Sequence, residues 1–140
     1  MTGNPQAIPL LKVKQIDHYT IVVADLERSK RFYCGVLGME DVPRPNFSFP
    51  GKWFQAGNTQ IHLILEHEGS APAGFPQPGA VNSPGRLTHL AFEVEDAQAA
   101  AALLPAHGIP LRGTPRNRPD GPLQVFITDP DGYVIEVFSR

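Results

Sequence analysis

The stretch Ile16-Asp-His-Tyr-Thr-Ile-Val-Val-Ala-Asp-Leu-Glu-Arg-Ser-Lys-Arg-Phe-Tyr-Cys-Gly-Val-Leu-Gly-Met39 decides the fold. Its first part, taken from residue 13 to residue 23, is β-branched and aromatic, the composition of a strand. Asp25 then stands where a helix N-cap belongs. Leu26, Ser29, Tyr33 and Val36 recur at helical spacing among charged neighbours, and Gly38 ends the helix. The same order returns later. Residues 86–94 read as a strand, Asp96 caps an Ala-rich helix through about Leu104, Pro105 terminates it and Gly108 closes the segment. Asp25 follows His18 by seven residues, and Asp96 follows His89 by seven. An internal repeat of this kind sets the architecture.

Shorter strands complete each half. Residues 39–42, 52–56 and 60–66 follow the first helix, divided by turn residues at Gly51 and Gly57-Asn58. Residues 111–113, 123–128 and 133–139 follow the second, with the turn Asp129-Pro-Asp-Gly132 between the last two. Each half closes on an Ile-X-aliphatic triplet, Ile61-His-Leu63 and Ile135-Glu-Val137. The expected fold is α+β: two βαβββ modules forming a curved mixed sheet around a metal cleft. A single domain spans 12–140, with module 1 over about 12–67, a Gly- and Pro-rich loop over 68–85 and module 2 over about 86–139. Residues 1–11 read as an N-terminal arm.

Strand alternation sorts the side chains. Tyr19, Ile21 and Val23 share a face, as do Ile61 with Leu63, Leu90 with Phe92, and Ile135 with Val137. A helix covers these faces. The opposite faces carry His18, His62, His89 and Glu136. Imidazole nitrogen and carboxylate oxygen suit Fe, Mn, Co, Ni or Zn, so the four are candidate ligands of one divalent metal. A substrate with two adjacent oxygens fits the positions left open, where the metal stabilises an enolate or another developing negative oxygen. Glu66 shares the parity of His62 and is a candidate base. Of the adjacent Trp53 and Phe54, one faces the cleft and the other packs under a helix. Arg112, Arg116 and Arg118 form a basic stretch suited to clamping an anion over the cleft. His67 and His107 read as solvated, Cys34 as packing, and the Asp129 turn as a turn rather than a calcium loop.

Composition narrows the function. The chain of 140 residues, 41% hydrophobic and 19% charged, supports one globular core. A formal net charge of −2 is a poor match to nucleic acid. The apolar stretches fall short of a membrane span, and residues 1–11 lack the pattern of a signal peptide. A lone cysteine permits no internal disulfide, which fits a cytoplasmic protein. The 15 Pro and 13 Gly residues indicate many turns and a strand-rich fold.

The stretch over 16–39, the segment Thr88-His-Leu-Ala-Phe-Glu-Val94 and the segment Phe126-Ile-Thr-Asp-Pro-Asp-Gly-Tyr-Val-Ile-Glu136 resemble the vicinal oxygen chelate superfamily. This superfamily contains glyoxalase I, methylmalonyl-CoA epimerase, extradiol dioxygenases, and fosfomycin- and bleomycin-resistance proteins. The likeness covers roughly residues 14–139. It implies metal ligands at His18, His89 and Glu136. The fourth family position, Glu or Gln in glyoxalase I and the epimerase, falls here on His62, a departure. The segment over 44–54 looks like one in glyoxalase-like members and places Arg44 and Trp53, with Arg116, as substrate contacts. The resemblance implies a metal-dependent enzyme with isomerase or lyase-type chemistry on a small oxygenated metabolite, Glu136 and Glu66 being its catalytic carboxylates. An Fe(II) extradiol-type dioxygenase is the alternative if His62 does not bind the metal. A non-catalytic drug-binding protein is a third reading, against which the intact ligand set counts. Family members of this size usually form homodimers, and the cleft is built either within one chain or from two.

Overall fold

The computed structural model describes residues 8–74 and 84–140. Residues 1–7 of the arm and 75–83 of the connecting loop lie outside the described residues. The first half runs β1 (His18–Val23), α1 (Leu26–Lys30), β2 (Glu40–Val42), β3 (Gly51–Ala56) and β4 (Thr59–Leu65). The second runs β5 (His89–Glu93), α2 (Ala97–Ala106), β6 (Arg116–Asn117), β7 (Leu123–Thr128) and β8 (Val134–Ser139). Each half is a βαβββ module whose four strands form their own mixed sheet. The strand orders are β1-β4-β3-β2 and β5-β8-β7-β6. The first and last strands of each module pair in parallel, and the remaining pairs are antiparallel.

Both helix starts follow from their caps. The Asp25 carboxylate accepts from Arg28 N at 3.0 Å, and the Asp96 carboxylate accepts from Ala99 N at 3.0 Å. Each satisfies a backbone donor that the helix leaves open. The first helix is not regular up to Gly38, as its sequence pattern predicts. After Lys30 it widens into a π-helical turn over Arg31–Val36, with Leu37 N donating to Phe32 O at 3.0 Å. Phe32 and Tyr33, neighbours in sequence, are both buried in this wider turn. Gly38, at φ +74°, then reverses the chain.

Three further boundaries differ from expectation. β1 begins at His18, not at residue 13. Its partner β4 begins at Thr59, and His18 already pairs with Gln60; Asp17 O still accepts from Gln60 N at 3.0 Å and Ile16 O from Thr59 Oγ1 at 3.2 Å, and the ladder runs back no further. α2 passes through Pro105 to Ala106, because a proline in the last turn removes only one helical bond. The edge strand of the second sheet is 116–117, not 111–113. Arg112 N does donate to Phe126 O at 2.7 Å, but Gly113 at φ +81° turns the chain away before a ladder forms.

The apolar faces of both sheets meet in one core. Ile21, Val23, Phe54, Ile61 and Leu63 come from the first sheet, and Val125, Ile127, Ile135 and Val137 from the second. Phe32, Tyr33, Ala97 and Leu104 join them from the helical segments. Full burial of a side chain such as Phe54 stabilises the fold by about 1.5–3 kcal/mol.

The Asp129-Pro-Asp-Gly132 segment is a turn that fastens one module to the other. Gly132 N donates to Asp129 O at 3.0 Å. Asp131 Oδ1 accepts from Ala24 N at 3.1 Å and Arg28 Nη2 at 2.8 Å. Tyr133 Oη donates to Val22 O at 2.7 Å and accepts from Gly74 N at 3.0 Å. No helix among the described residues is long and apolar enough to cross a membrane.

Candidate metal centre

The repeat holds at the level of strand register. His18 is paired with Gln60, so Thr20 is paired with His62. His89 is paired with Val134, so Ala91 is paired with Glu136. In each module the histidine of the first strand and the polar residue of the last strand therefore sit diagonally across a parallel strand pair. Both lie on the face turned away from the core. His62 is to His18 what Glu136 is to His89.

In the second module the pair is in contact. His89 Nε2 lies 3.1 Å from Glu136 Oε1. The other ring nitrogen, Nδ1, lies 2.7 Å from Leu87 O, which can only accept, so Nδ1 carries the hydrogen. In the neutral ring this leaves the Nε2 lone pair facing a carboxylate oxygen. Two electron-pair donors at this distance require a cation, either a second ring proton or a metal ion, and Nδ1–H bonded to a carbonyl is the usual support of a ligating imidazole. Glu136 is buried, and its other oxygen accepts from Gln124 Nε2 at 3.1 Å. Phe126 stands edge-on to His89 at 5.5 Å.

In the first module the rings stack. The His18 and His62 centroids lie 4.0 Å apart at 13°, and Trp53 covers the other face of His62 at 4.0 Å and 2°. His18 Nδ1 lies 2.8 Å from Asp17 Oδ2, leaving Nε2 as its lone-pair donor. His62 Nε2 lies 2.8 Å from Gln60 Oε1, and the Gln60 amide is oriented by its own donation to Gln55 Oε1 at 2.9 Å. This leaves His62 Nδ1 as the lone-pair donor. Burial, and then the nearby charge of His18, hold the His62 pKa below its ordinary 6.5, which keeps the ring neutral and ligand-competent.

All four side chains thus fit a divalent metal by donor chemistry, and the supporting acceptors are in place for the three histidines. They do not gather within one chain. Among the described residues, no group of three or more His, Cys, Asp or Glu side chains comes close enough to hold an ion. The four side chains form two separate pairs, His18 with His62 on one sheet and His89 with Glu136 on the other.

The remaining predicted residues separate into three places. Trp53 and Arg44 line a small cavity of about 110 Å³ beside His62, with Thr20, Phe47 and Phe49. Phe54 points into the core, so the two adjacent aromatics do face opposite ways. The Arg44 guanidinium lies over Phe47 at 4.7 Å and Phe49 at 5.0 Å, and donates to Phe49 O at 2.9 Å. Arg44 therefore also shapes the loop before β3. Arg116 and Arg112 line a larger cavity of about 420 Å³ against the second sheet, while Arg118 turns to Asp120 at 2.8 Å. Glu66 is exposed just beyond β4 and accepts from Ala73 N at 2.8 Å, tying down the following loop. His67 and His107 are exposed, and Cys34 packs against the core.

Sequence reading missed Gln60, Gln124 and Arg86. Strand parity alone places Gln60 on the His62 face. Gln124 needs the register of β7 against β8, and Arg86 needs the turn that brings residues 84–86 over Phe126.

The chain belongs to the Glyoxalase/Bleomycin resistance protein/Dioxygenase superfamily, whose model matches residues 15–137. It is 30% identical over 135 residues to the uncharacterized protein YaeR of Escherichia coli (strain K12), covering 94% of this chain and 100% of that one. It is 28% identical over 137 residues to Glyoxylase I 4 of Arabidopsis thaliana, covering 96% of this chain and 73% of that one. A crystal structure of a glyoxalase family protein from Bacillus anthracis superimposes with a TM-score of 0.69 at 25% identity, covering 93% of this chain and 98% of that one.

Proposed function

We propose that the protein is a metal-dependent glyoxalase-like enzyme acting on a small oxygenated metabolite, with His18, His62, His89 and Glu136 as its metal ligands. The observation that carries this reading is His89 Nε2 facing Glu136 Oε1 at 3.1 Å with Nδ1–H engaged by Leu87 O. A divalent cation held there supplies Lewis-acid stabilisation of the negative charge that develops when a substrate proton is removed. Glu136 is the carboxylate assigned to take and return that proton, and Gln124 fixes its orientation. Glu66 is engaged with Ala73 N and serves the loop. Trp53 and the Phe47–Phe49 loop wall the first-module side.

The two half-sites lie apart in one chain, which supports a homodimer in which module 1 of one copy faces module 2 of the other. The exposed apolar side chains of Ile8, Leu10, Leu11, Val13 and Ile16 support the same reading, since a second copy gives them a surface to cover.

A second reading, an Fe(II) extradiol-type dioxygenase, is favoured by one observation. The in-plane lone pairs of two rings stacked at 13° lie in nearly parallel planes, which disfavours both rings on one ion. With His62 beside the shell, His18, His89 and Glu136 are the two-histidine, one-carboxylate set of such oxygenases.

Metal analysis of protein purified without added metal tests both. Stoichiometric metal that disappears in His89→Ala is expected. Iron favours the oxygenase, and nickel, cobalt, manganese or zinc favours the isomerase group. Retention of full metal by His89→Ala overturns the site, and absence of bound metal with no thermal response to any added divalent ion overturns both readings.

A further inference from the structure

The cavity of about 420 Å³ against the second sheet is lined by three arginines, Arg86, Arg112 and Arg116, together with Gln124 and Phe126. Three separate backbone features bring them there. Arg112 is held beside β7 by its bond to Phe126 O, Arg116 pairs with Gln124 in the β6–β7 register, and Arg86 ends the helical turn Pro84–Arg86 that leads into β5. Three of the five other arginines have carboxylate partners, Arg28 with Asp131, Arg118 with Asp120 and Arg140 with Glu93, and a fourth, Arg44, lies over Phe47 and Phe49. Among the described residues none of the three cavity arginines has a carboxylate partner, and residues 1–7 and 75–83 contain no Asp or Glu.

Like charges gathered without counter-ions repel one another, and a bound anion relieves that cost. Guanidinium groups are also the side chains best matched to the planar or tetrahedral oxygens of carboxylate and phosphate. The cavity is joined to the metal half-site through two side chains. Gln124 lines it and donates to Glu136, and Phe126 lines it and stands edge-on to His89.

We propose that this cavity binds the anionic end, a phosphate monoester or a carboxylate, of a substrate whose oxygens reach His89 and Glu136. The inference rests on the metal-enzyme reading for its second half only. The substrate class becomes a small oxygenated acid, held at one end by guanidinium groups and presented at the other to the metal.

Isothermal titration of the purified protein with inorganic phosphate and, separately, with succinate at low ionic strength tests it. Saturable binding of one of them is expected, and the tighter of the two names the source of the anion. In Arg112→Gln/Arg116→Gln, affinity falls by about ten- to a hundredfold, the loss of one or two charge-assisted hydrogen bonds. Arg86→Gln weakens binding in the same direction, whereas Arg118→Gln leaves it unchanged. Metal content stays at the wild-type level in all three variants, and phosphate or succinate still binds His89→Ala, so failure of the metal site and failure of the anion site read out separately. Absence of saturable binding to either anion overturns the proposal, as does equal affinity in the wild type and the double variant.

Discussion

His89 Nε2 stands 3.1 Å from Glu136 Oε1 across the parallel pair of β5 and β8. The Leu87 carbonyl holds the other ring nitrogen, so this contact is completed either by a second ring proton, as an ion pair, or by a metal ion. The first module offers its own pair, His18 and His62, at the equivalent register.

If the site is shared between copies, defects in opposite modules complement each other. His18→Ala/His62→Ala and His89→Ala/Glu136→Ala chains each lose tight metal binding on their own. Unfolded together and refolded as a mixture, they recover part of the wild-type metal content, because a mixed dimer contains one intact set. Metal content of the mixture against the two separate samples checks this, and no recovery overturns the shared site.

The place of His62 is open to a pH measurement on metal-free protein. Its midpoint lies below 6.5, chiefly through burial. Between that midpoint and 6.5 the folded protein binds fewer protons than the unfolded chain, so stability declines as pH falls through this window. A ring-proton NMR titration locates the midpoint. His18→Ala moves it upward, since it removes both the neighbouring charge and the cover over one face of the ring, while Trp53 still covers the other.

Tyr33 Oη donates to Asp129 Oδ2 at 2.7 Å in the buried seam between the modules. Tyr33→Phe removes the donor and leaves a buried acceptor open, a loss of about 1–3 kcal/mol, or roughly 3–10 °C in thermal midpoint. Burial raises the Asp129 pKa above its ordinary 3.8 while the Tyr33 hydrogen bond opposes the rise, so the bond serves the ionised form. The deficit of the variant is therefore full above the Asp129 midpoint and narrows as pH falls through it. Melting curves at several pH values, compared with wild type, check both size and direction.

Gly74, at φ +83°, passes so close to the Asp131 turn that an added Cβ meets the Asp131 carbonyl oxygen at 2.5 Å. Gly74→Ala combines that clash with a left-handed backbone and disturbs the donation from Gly74 N to Tyr133 Oη. A loss of about 1–3 kcal/mol is expected, measured by denaturant unfolding. Gly108→Ala, also at positive φ but with open space around its Cβ, loses less.

Much of this was written locally. The caps at Asp25 and Asp96, the strand parities of His18 and His89, and the turn at Asp129 are decided by neighbours within a few residues, which is why the repeat and the shared face of the four candidate ligands could be read without coordinates. The start of β1 is not legible locally because a strand ends where its partner's ladder ends, and no residue between 13 and 17 announces that β4 begins at Thr59. The π-helical turn was hidden for a similar reason, since burying both Phe32 and Tyr33 is a demand of the core rather than of the helix.

The sequence by itself determined the two-module α+β fold, the family and the four metal-capable side chains, because periodicity, caps and the repeat are properties of the chain taken in order. Only the tertiary structure decided how those side chains are grouped. Strand register set His18 against His62 and His89 against Glu136, stacking turned His62 between His18 and Trp53, and long-range packing gathered Arg86, Arg112 and Arg116 around one cavity. Distances between residues far apart in the chain arise from packing, and no local pattern encodes them.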